Sequence, residues 1–309
     1  MPEIIVIGGG VIGLSSALAL QQRGHTVQLI TRELPQDTTS AAAGAIWAGG
    51  GLAGRMMRWA EGTLQRLLAL CQEPGSGVTL QRVRRVFPHA QPDDWFAAQL
   101  PFYARIPIAQ LPAGSQAGMV MDLPIVAPPR YLQRLHEQFL AEGGVFDLRH
   151  IDSLDELLDE VNLVVNCSGV GARRLADDPA VQPIRGQTLL VDGQIGSGYM
   201  DESAFTYLFP RDDGILLGGT QRAGDWRREV DKDESADILA RCGVIEPGLA
   251  SATVLRSRVG LRPGRHAVRL EAERRNQRRI IHNYGHGGIG FTLSWGCALA
   301  VARLAEDCV

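Results

Sequence analysis

The stretch His282-Asn283-Tyr284-Gly285-His286-Gly287-Gly288-Ile289-Gly290-Phe291-Thr292-Leu293-Ser294-Trp295-Gly296 carries five glycines and runs into an apolar segment of helical character. Residues without a Cβ let backbone N–H groups approach a ligand closely, and a helix start behind them favours negative charge. That is a device for stabilising charge on a bound cofactor or substrate, although the block alone is equally an ordinary glycine turn. Two further features point to a ligand. Arg262-Pro263 places a guanidinium, a planar fork suited to a carboxylate, on what reads as a turn upstream. At the other end of the chain, Gly8-Gly9-Gly10-Val11-Ile12-Gly13 has the spacing of a dinucleotide fingerprint.

These residues need elements to hold them. Ile4-Ile5-Val6-Ile7 is a short β-branched run that reads as a buried strand; the spacing then predicts a helix over 11–23, with Ala17 and Gly24 in the pattern, and a second strand over 26–30. Gly8 allows the tight turn, Gly10 lets backbone meet pyrophosphate, and Gly13 lets helix pack on strand. An acidic residue for a ribose hydroxyl is expected where the second strand ends. Glu33 stands one or two positions late, and Arg32 either meets phosphate or adenosine or is solvated. Further helical spacing covers 59–71 and 128–141. Strands are expected at 145–151, 163–167, 188–191, 205–209 and 215–217, with a hairpin turn over 211–214. The strand at 163–167 ends in Ser168-Gly169-Val170-Gly171, a second glycine turn that places backbone near the same cofactor.

Composition narrows the class. The 309 residues, 21% charged and with a net charge of −3, suit a globular protein without nucleic acid or an anionic membrane surface as partner. There is no apolar run of 18 residues; the uncharged, glycine-rich stretch over 41–54 reads as a loop. The chain opens on its first strand, so no signal peptide is expected, and it closes Asp307-Cys308-Val309 without a peroxisomal tripeptide. Five scattered cysteines with no CxxC pair suit a reducing cytoplasm, with one or two bridges left open. The seven histidines form no metal-ligand cluster. The expected fold is α/β, a Rossmann-like cofactor domain over 1–55, 127–186 and 256–309 interleaved with a strand-rich, mixed-sheet substrate domain over 56–126 and 187–255. Substrate would bind where the two meet.

Taken in order, the motifs resemble the D-amino-acid oxidase family of flavoproteins over nearly the whole chain. They are Val6 to Ser15, Ala42-Ala43-Gly44 with Trp47, Val165-Asn166-Cys167-Ser168-Gly169-Val170, Gln182-Pro183 with Arg185-Gly186-Gln187, Tyr207 with Pro210, Leu217-Gly218-Gly219, Gly260-Leu261-Arg262-Pro263, and the block from His282 to Leu299. The resemblance implies non-covalent FAD, and hydride transfer from a D-amino acid Cα to flavin N5. The products are a 2-oxo acid, ammonia and, with dioxygen, hydrogen peroxide. It implies that Arg262 and Tyr207 hold the substrate carboxylate and that the Gly288 carbonyl accepts from the amine. For the cofactor it implies Gly8, Gly10, Val11, Ile12, Gly13, Arg32, Thr38, Thr39, Ser40, Ala43, Gly44, Ser168, Gly169, Gly287, Gly288, Gly290, Phe291 and Thr292. Trp47 either lies near the flavin or packs; the first is expected. His282 and His286 are expected to make structural hydrogen bonds, because this chemistry needs no imidazole base.

The chain departs from the family at Ser203, where a second tyrosine often stands on the lid, and it is shorter over 48–54. Neutral side chains are expected over acidic ones. D-Aspartate would need a second cation, of which Arg222 is the best candidate, but alternation sends Arg222 away from the face that Gln221 occupies. The rival readings are a flavin dehydrogenase reducing a quinone, a non-catalytic flavin-binding protein and a nicotinamide dehydrogenase. A homodimer stays open.

Overall fold

The computed structural model describes residues 3–90, 94–275 and 277–306. A six-stranded sheet forms around β1 (Ile4–Ile7), with β2 (Val27–Thr31) and then β6 (Val145–Leu148) on one side. On the other side come β7 (Leu163–Asn166), β15 (Arg278–Tyr284) and β14 (Arg269–Arg275). All neighbours are parallel except the β14–β15 hairpin. Both faces of β1 are covered, so its residues are apolar without alternation: Ile4 and Val6 join the main core, Ile5 and Ile7 a second cluster with Ile151, Leu154 and Leu157. The register aligns Ile30, Ile7, Asn166 and His282 in one row at the carboxyl ends of four strands. A ligand crevice in an open parallel sheet lies just beyond such a row.

Helices α1 (Val11–Gln21), α2 (Gly54–Leu70) and α3 (Pro128–Ala141) belong to the cofactor side, with the short α4 (Asp155–Leu158) and α5 (Ala172–Leu175). The fold returns to α1 at the end of the chain. Helix α7 (Gly290–Glu306) lies against α1 and α2, with the Ser15 hydroxyl donating to the Ser294 carbonyl at 3.3 Å and Gly296 N–H to Thr63 Oγ1 at 3.0 Å. Gly296 is required there, because a side chain would collide with the Trp59 backbone.

A nine-stranded, mainly antiparallel sheet forms the second layer. Its strands are β3 (Val78–Phe87), β4 (Tyr103–Arg105), β5 (Ala117–Val126), β8 (Gln182–Val191), β9 (Gly198–Asp201), β10 (Thr206–Arg211), β11 (Gly214–Gly218), β12 (Arg222–Ala223) and β13 (Val254–Gly264). Their order is β12-β8-β11-β10-β9-β3-β5-β4, and β13 pairs with β8. Helix α6 (Lys232–Ile245) packs on this sheet, with Asp231 capping the N–H groups of Asp233 and Glu234.

The expected boundaries at 186/187 and 255/256 fall inside two paired strands of this sheet, β8 and β13. The Arg262-Pro263 turn is likewise strand. Pro263 stands opposite Pro183, so neither missing N–H interrupts the ladder, which is where a sheet tolerates proline. Cys71, Cys167, Cys242 and Cys297 are unpaired. The expectation about Asp307-Cys308-Val309 lies outside the described residues. Among the described residues no helix is long and apolar enough to cross a membrane.

Candidate active site

A cleft of about 600 Å³ runs from the carboxyl ends of the parallel sheet to the face of the antiparallel one. Its first part is built by the fingerprint. Gly8 has φ +109°, and a Cβ there would stand 2.5 Å from the Cys167 carbonyl oxygen; a side chain at Gly13 would collide with the Gly8 carbonyl. Gly10 caps α1 without a side chain, the first turn holds no acidic residue, and the positive end of the helix faces the cleft. Val11 N–H donates to Ser40 Oγ at 3.0 Å, which fixes the 38–43 segment over this turn. Thr38 Oγ1 donates to the Pro35 carbonyl, while Thr39 Oγ1 clips the segment to both backbone groups of Leu261. Ser168 donates to Asn166 Oδ1 on the opposite wall, beside Gly169.

Arg32 lines this end with its side chain 54% exposed, and Glu33 pairs with Arg228 at 2.6 Å. Sequence reasoning missed Arg149, His150 and Arg174, which line the same end. The first two lie just past β6, whose pairing with β2 brings them beside Arg32.

The second part brings Arg262, Tyr207 and Gly288 together. Arg262 leaves β13 and crosses β8 over Gly186, where any side chain would occupy the guanidinium's place. One guanidinium nitrogen donates to the Thr220 carbonyl at 3.0 Å, and the group lies 5.6 Å from the Phe205 ring. Among the described residues no carboxylate pairs with it. The glycine block hangs on the same strand, since Gly287 N–H donates to the Pro263 carbonyl at 2.9 Å, and Gly288 packs against the Arg262 stem.

Tyr207 is buried and stacks on Phe209 at 5.3 Å, in a slot made by Gly44, Gly218 and Gly219; a Cβ at Gly219 would be 2.7 Å from the phenol oxygen. Burial pushes this phenol above its usual range, against the pull of the neighbouring Arg262 charge, so it is a hydrogen-bond donor at ordinary pH. Gly290, Phe291 and Thr292 open α7, where first-turn N–H groups have no partner within the helix, and all three line the cleft. Ile12, Ala43 and Gly44 line it as well.

Three expectations change. Trp47 is packed behind the wall rather than lining it: it is 1% exposed, edge-on to Phe96 and Trp95, and its indole N–H donates to the Ala60 carbonyl at 3.0 Å. His282 does hydrogen bond, to Glu273 at 2.9 Å and toward Asn166 at 3.4 Å, whereas His286 Nε2 has no partner among the described residues and lies on the cleft. Burial lowers the His286 ring to about 4 and keeps it neutral. The third concerns charge in the pocket. Arg222 is 63% exposed and pairs with Glu234, as alternation requires, and Gln221 lines the cleft. An unanticipated cation nevertheless enters the pocket, Arg85 on β3, ion-paired with Glu202.

The cleft fits FAD. It offers a turn whose glycines cannot carry side chains, two helix N-termini and an orphaned buried atom, Asn283 Oδ1. The comparisons with known proteins agree. A family model described as FAD dependent oxidoreductase matches residues 3–304. The D-amino-acid oxidase of Rubrobacter xylanophilus (strain DSM 9941 / JCM 11954 / NBRC 16129 / PRD-1) is 40% identical over 97% of this chain and 95% of its own. The D-aspartate oxidase of Homo sapiens is 34% identical over 99% and 95%. A glycine oxidase structure from Geobacillus kaustophilus superposes with a TM-score of 0.84 at 18% identity, covering 99% of this chain and 95% of that one. The chain belongs to the FAD dependent oxidoreductase family that this model describes, and it is an oxidoreductase that uses FAD.

Proposed function

We propose that the protein oxidatively deaminates neutral D-amino acids, releasing 2-oxo acid and ammonia and passing the electrons to dioxygen as hydrogen peroxide. The observation that carries this is the meeting of the unpaired Arg262 guanidinium and the protonated Tyr207 hydroxyl at the end of the FAD cleft. A cation with a parallel fork and a neutral donor beside it suits a carboxylate. The Gly288 carbonyl would orient the amine, and with two substituents fixed, one hand of the α-carbon aims its hydrogen at the cofactor. Bound FAD supplies the two-electron sink at N5. The chain's own part is to bind, orient and exclude water. Gly8, Gly10, Val11, Ile12, Gly13, Ser40, Ala43, Ser168 and Gly169 would hold the nucleotide part. The α7 N–H groups of Gly290, Phe291 and Thr292 would face the negative charge that develops on the flavin. No imidazole takes the α-proton in this reading, which agrees with His286, whose ring burial lowers to about 4 and so makes a weak base.

Neutral side chains are favoured because Arg222 points outward, Gln221 lines the wall and Arg85 is already neutralised by Glu202. A cytoplasmic setting belongs to the same proposal and rests on the scattered thiols. The test is a peroxide-coupled comparison of kcat/KM for D-alanine, D-valine, D-phenylalanine and D-aspartate and for the L-forms. The D-forms should react with D-aspartate last; a lead for D-aspartate overturns the neutral reading.

A further inference from the structure

Arg85 is 7% exposed and lines the cleft. On β3 it stands opposite Met200 of β9, and Met200 stands opposite Tyr207 of β10. Paired residues on neighbouring strands share a face, so Arg85, Met200 and Tyr207 form one row, and all three line the cleft. Two strand spacings put the Arg85 backbone roughly 10 Å from that of Tyr207. The guanidinium itself leans along the sheet, to Phe87 and to Glu202, which lies two residues beyond Met200. Arg85 thus lines the same cleft as Tyr207 and Arg262, two strands across from Tyr207.

The Arg85 guanidinium gives one nitrogen to Glu202 and lies 5.2 Å from the Phe87 ring, while its Nε has no partner among the described residues. Nε is itself closed off from the cleft, so the donor left for a ligand is the terminal nitrogen that Glu202 does not use. Glu202 uses one oxygen on Arg85, and its other oxygen has no partner among the described residues. The pair has no net charge, and it offers one donor and one acceptor side by side.

We propose that Arg85 and Glu202 form the side-chain subsite and select D-amino acids carrying an uncharged carboxamide. The amide oxygen accepts from the terminal Arg85 N–H that Glu202 leaves unused, and the amide N–H₂ donates to the second Glu202 oxygen. A carboxylate there would crowd Glu202 with like charge, an ammonium would crowd Arg85, and an alkyl group would leave the terminal guanidinium N–H unsatisfied. This rests on the oxidase reading above and makes it more specific.

The test uses the holoenzyme and two side chains of equal shape, D-asparagine and D-leucine, with D-alanine as reference. The wild type should prefer D-asparagine over D-leucine by about tenfold or more in kcat/KM, because a site built for hydrogen bonds rejects the analogue that lacks them. The double variant Arg85→Met/Glu202→Leu, which replaces the pair with apolar groups, should lower that ratio by about tenfold. Arg85→Lys, which keeps the charge but loses the planar fork, should lower it too, and it decides the matter should the double variant lose its flavin absorbance. Turnover of D-alanine with a wild-type ratio at or below one, or a ratio unchanged by Arg85→Lys, overturns the subsite alone. Silence with every D-amino acid, D-alanine included, overturns the oxidase reading and the subsite with it.

Discussion

The Arg262 guanidinium lies in the space that a side chain at Gly186 would fill. Arg262 sits diagonally across the β13–β8 ladder from Gly186, and only a bare backbone on β8 lets the arginine lie flat along the sheet toward Thr220. Gly186→Ala should therefore displace the guanidinium while leaving the distant nucleotide turn intact. A misplacement of about 1 Å at a substrate-holding group costs on the order of 10²-fold. Steady-state kinetics with D-alanine should show that loss mainly in KM, with the flavin spectrum retained; wild-type KM would mean that the arginine is free to shift.

Arg262→Leu tests the clamp itself. In the substrate complex the variant leaves a desolvated carboxylate without its cation, at about 3–5 kcal/mol, which is roughly two to three and a half orders of magnitude in affinity. Amino-acid turnover should collapse while FAD stays bound. An unchanged KM and kcat would remove Arg262 from the proposed site.

Tyr207→Phe should do less, about 0.5–3 kcal/mol in kcat/KM, since Arg262 still holds the carboxylate when one hydrogen bond is lost. The ring keeps its stack on Phe209, so little stability should be lost with it. Because burial raises the phenol, the wild-type pH profile should show no step from Tyr207 below the ordinary tyrosine range. A basic limb that disappears in the Phe variant would contradict this.

Gly13→Ala strikes the other end of the cleft. The new Cβ would meet the Gly8 carbonyl inside the tight turn, and neither backbone can retreat without opening β1 against α1. The variant should purify with little or no FAD, whereas acid treatment of the wild type should release all its FAD in free form. Flavin that stays with the denatured wild-type chain would contradict non-covalent binding.

The elements whose signal is local were legible. The buried strand Ile4–Ile7, the glycine turn behind it and the helix Pro128–Ala141 follow from periodicity and punctuation within a few residues. Arg262 was found by its neighbours, but its local structure was misread, because proline suggests a turn until Pro183 is seen opposite. Trp47 was misplaced since nothing near it in sequence announces Trp95 and Phe96, which build its packing. Arg85 was missed for the same reason. A third arginine after Arg82 and Arg84 looks like solvated surface, and its burial depends on β9 and β10, which arrive from far along the chain. The sheet that runs through the expected domain limits was not legible, because its strands, β8 and β13 above all, come from distant segments.

His286 gives a prediction about acid stability. Its ring is buried with Nε2 unpartnered, and desolvation, the sole cause, brings it down to about 4 from an ordinary value near 6.5. The folded protein therefore resists protonation where the unfolded chain accepts it. Between these values the unfolded state binds more protons, so stability rises with pH. The contribution is full above about 6.5, is lost as pH falls toward about 4, and levels off below; over that window it amounts to about 3 kcal/mol. His282 is also lowered by burial, with Glu273 opposing, and acts with the same sign, but it is present in both proteins to be compared. In urea unfolding of the holoenzyme, His286→Gln should cost stability at neutral pH and progressively less toward pH ~4.5, the gap to wild type narrowing by on the order of 2–3 kcal/mol. A gap that stays constant with pH would mean that the folded ring takes up its proton as readily as the unfolded one, and that desolvation does not hold it neutral.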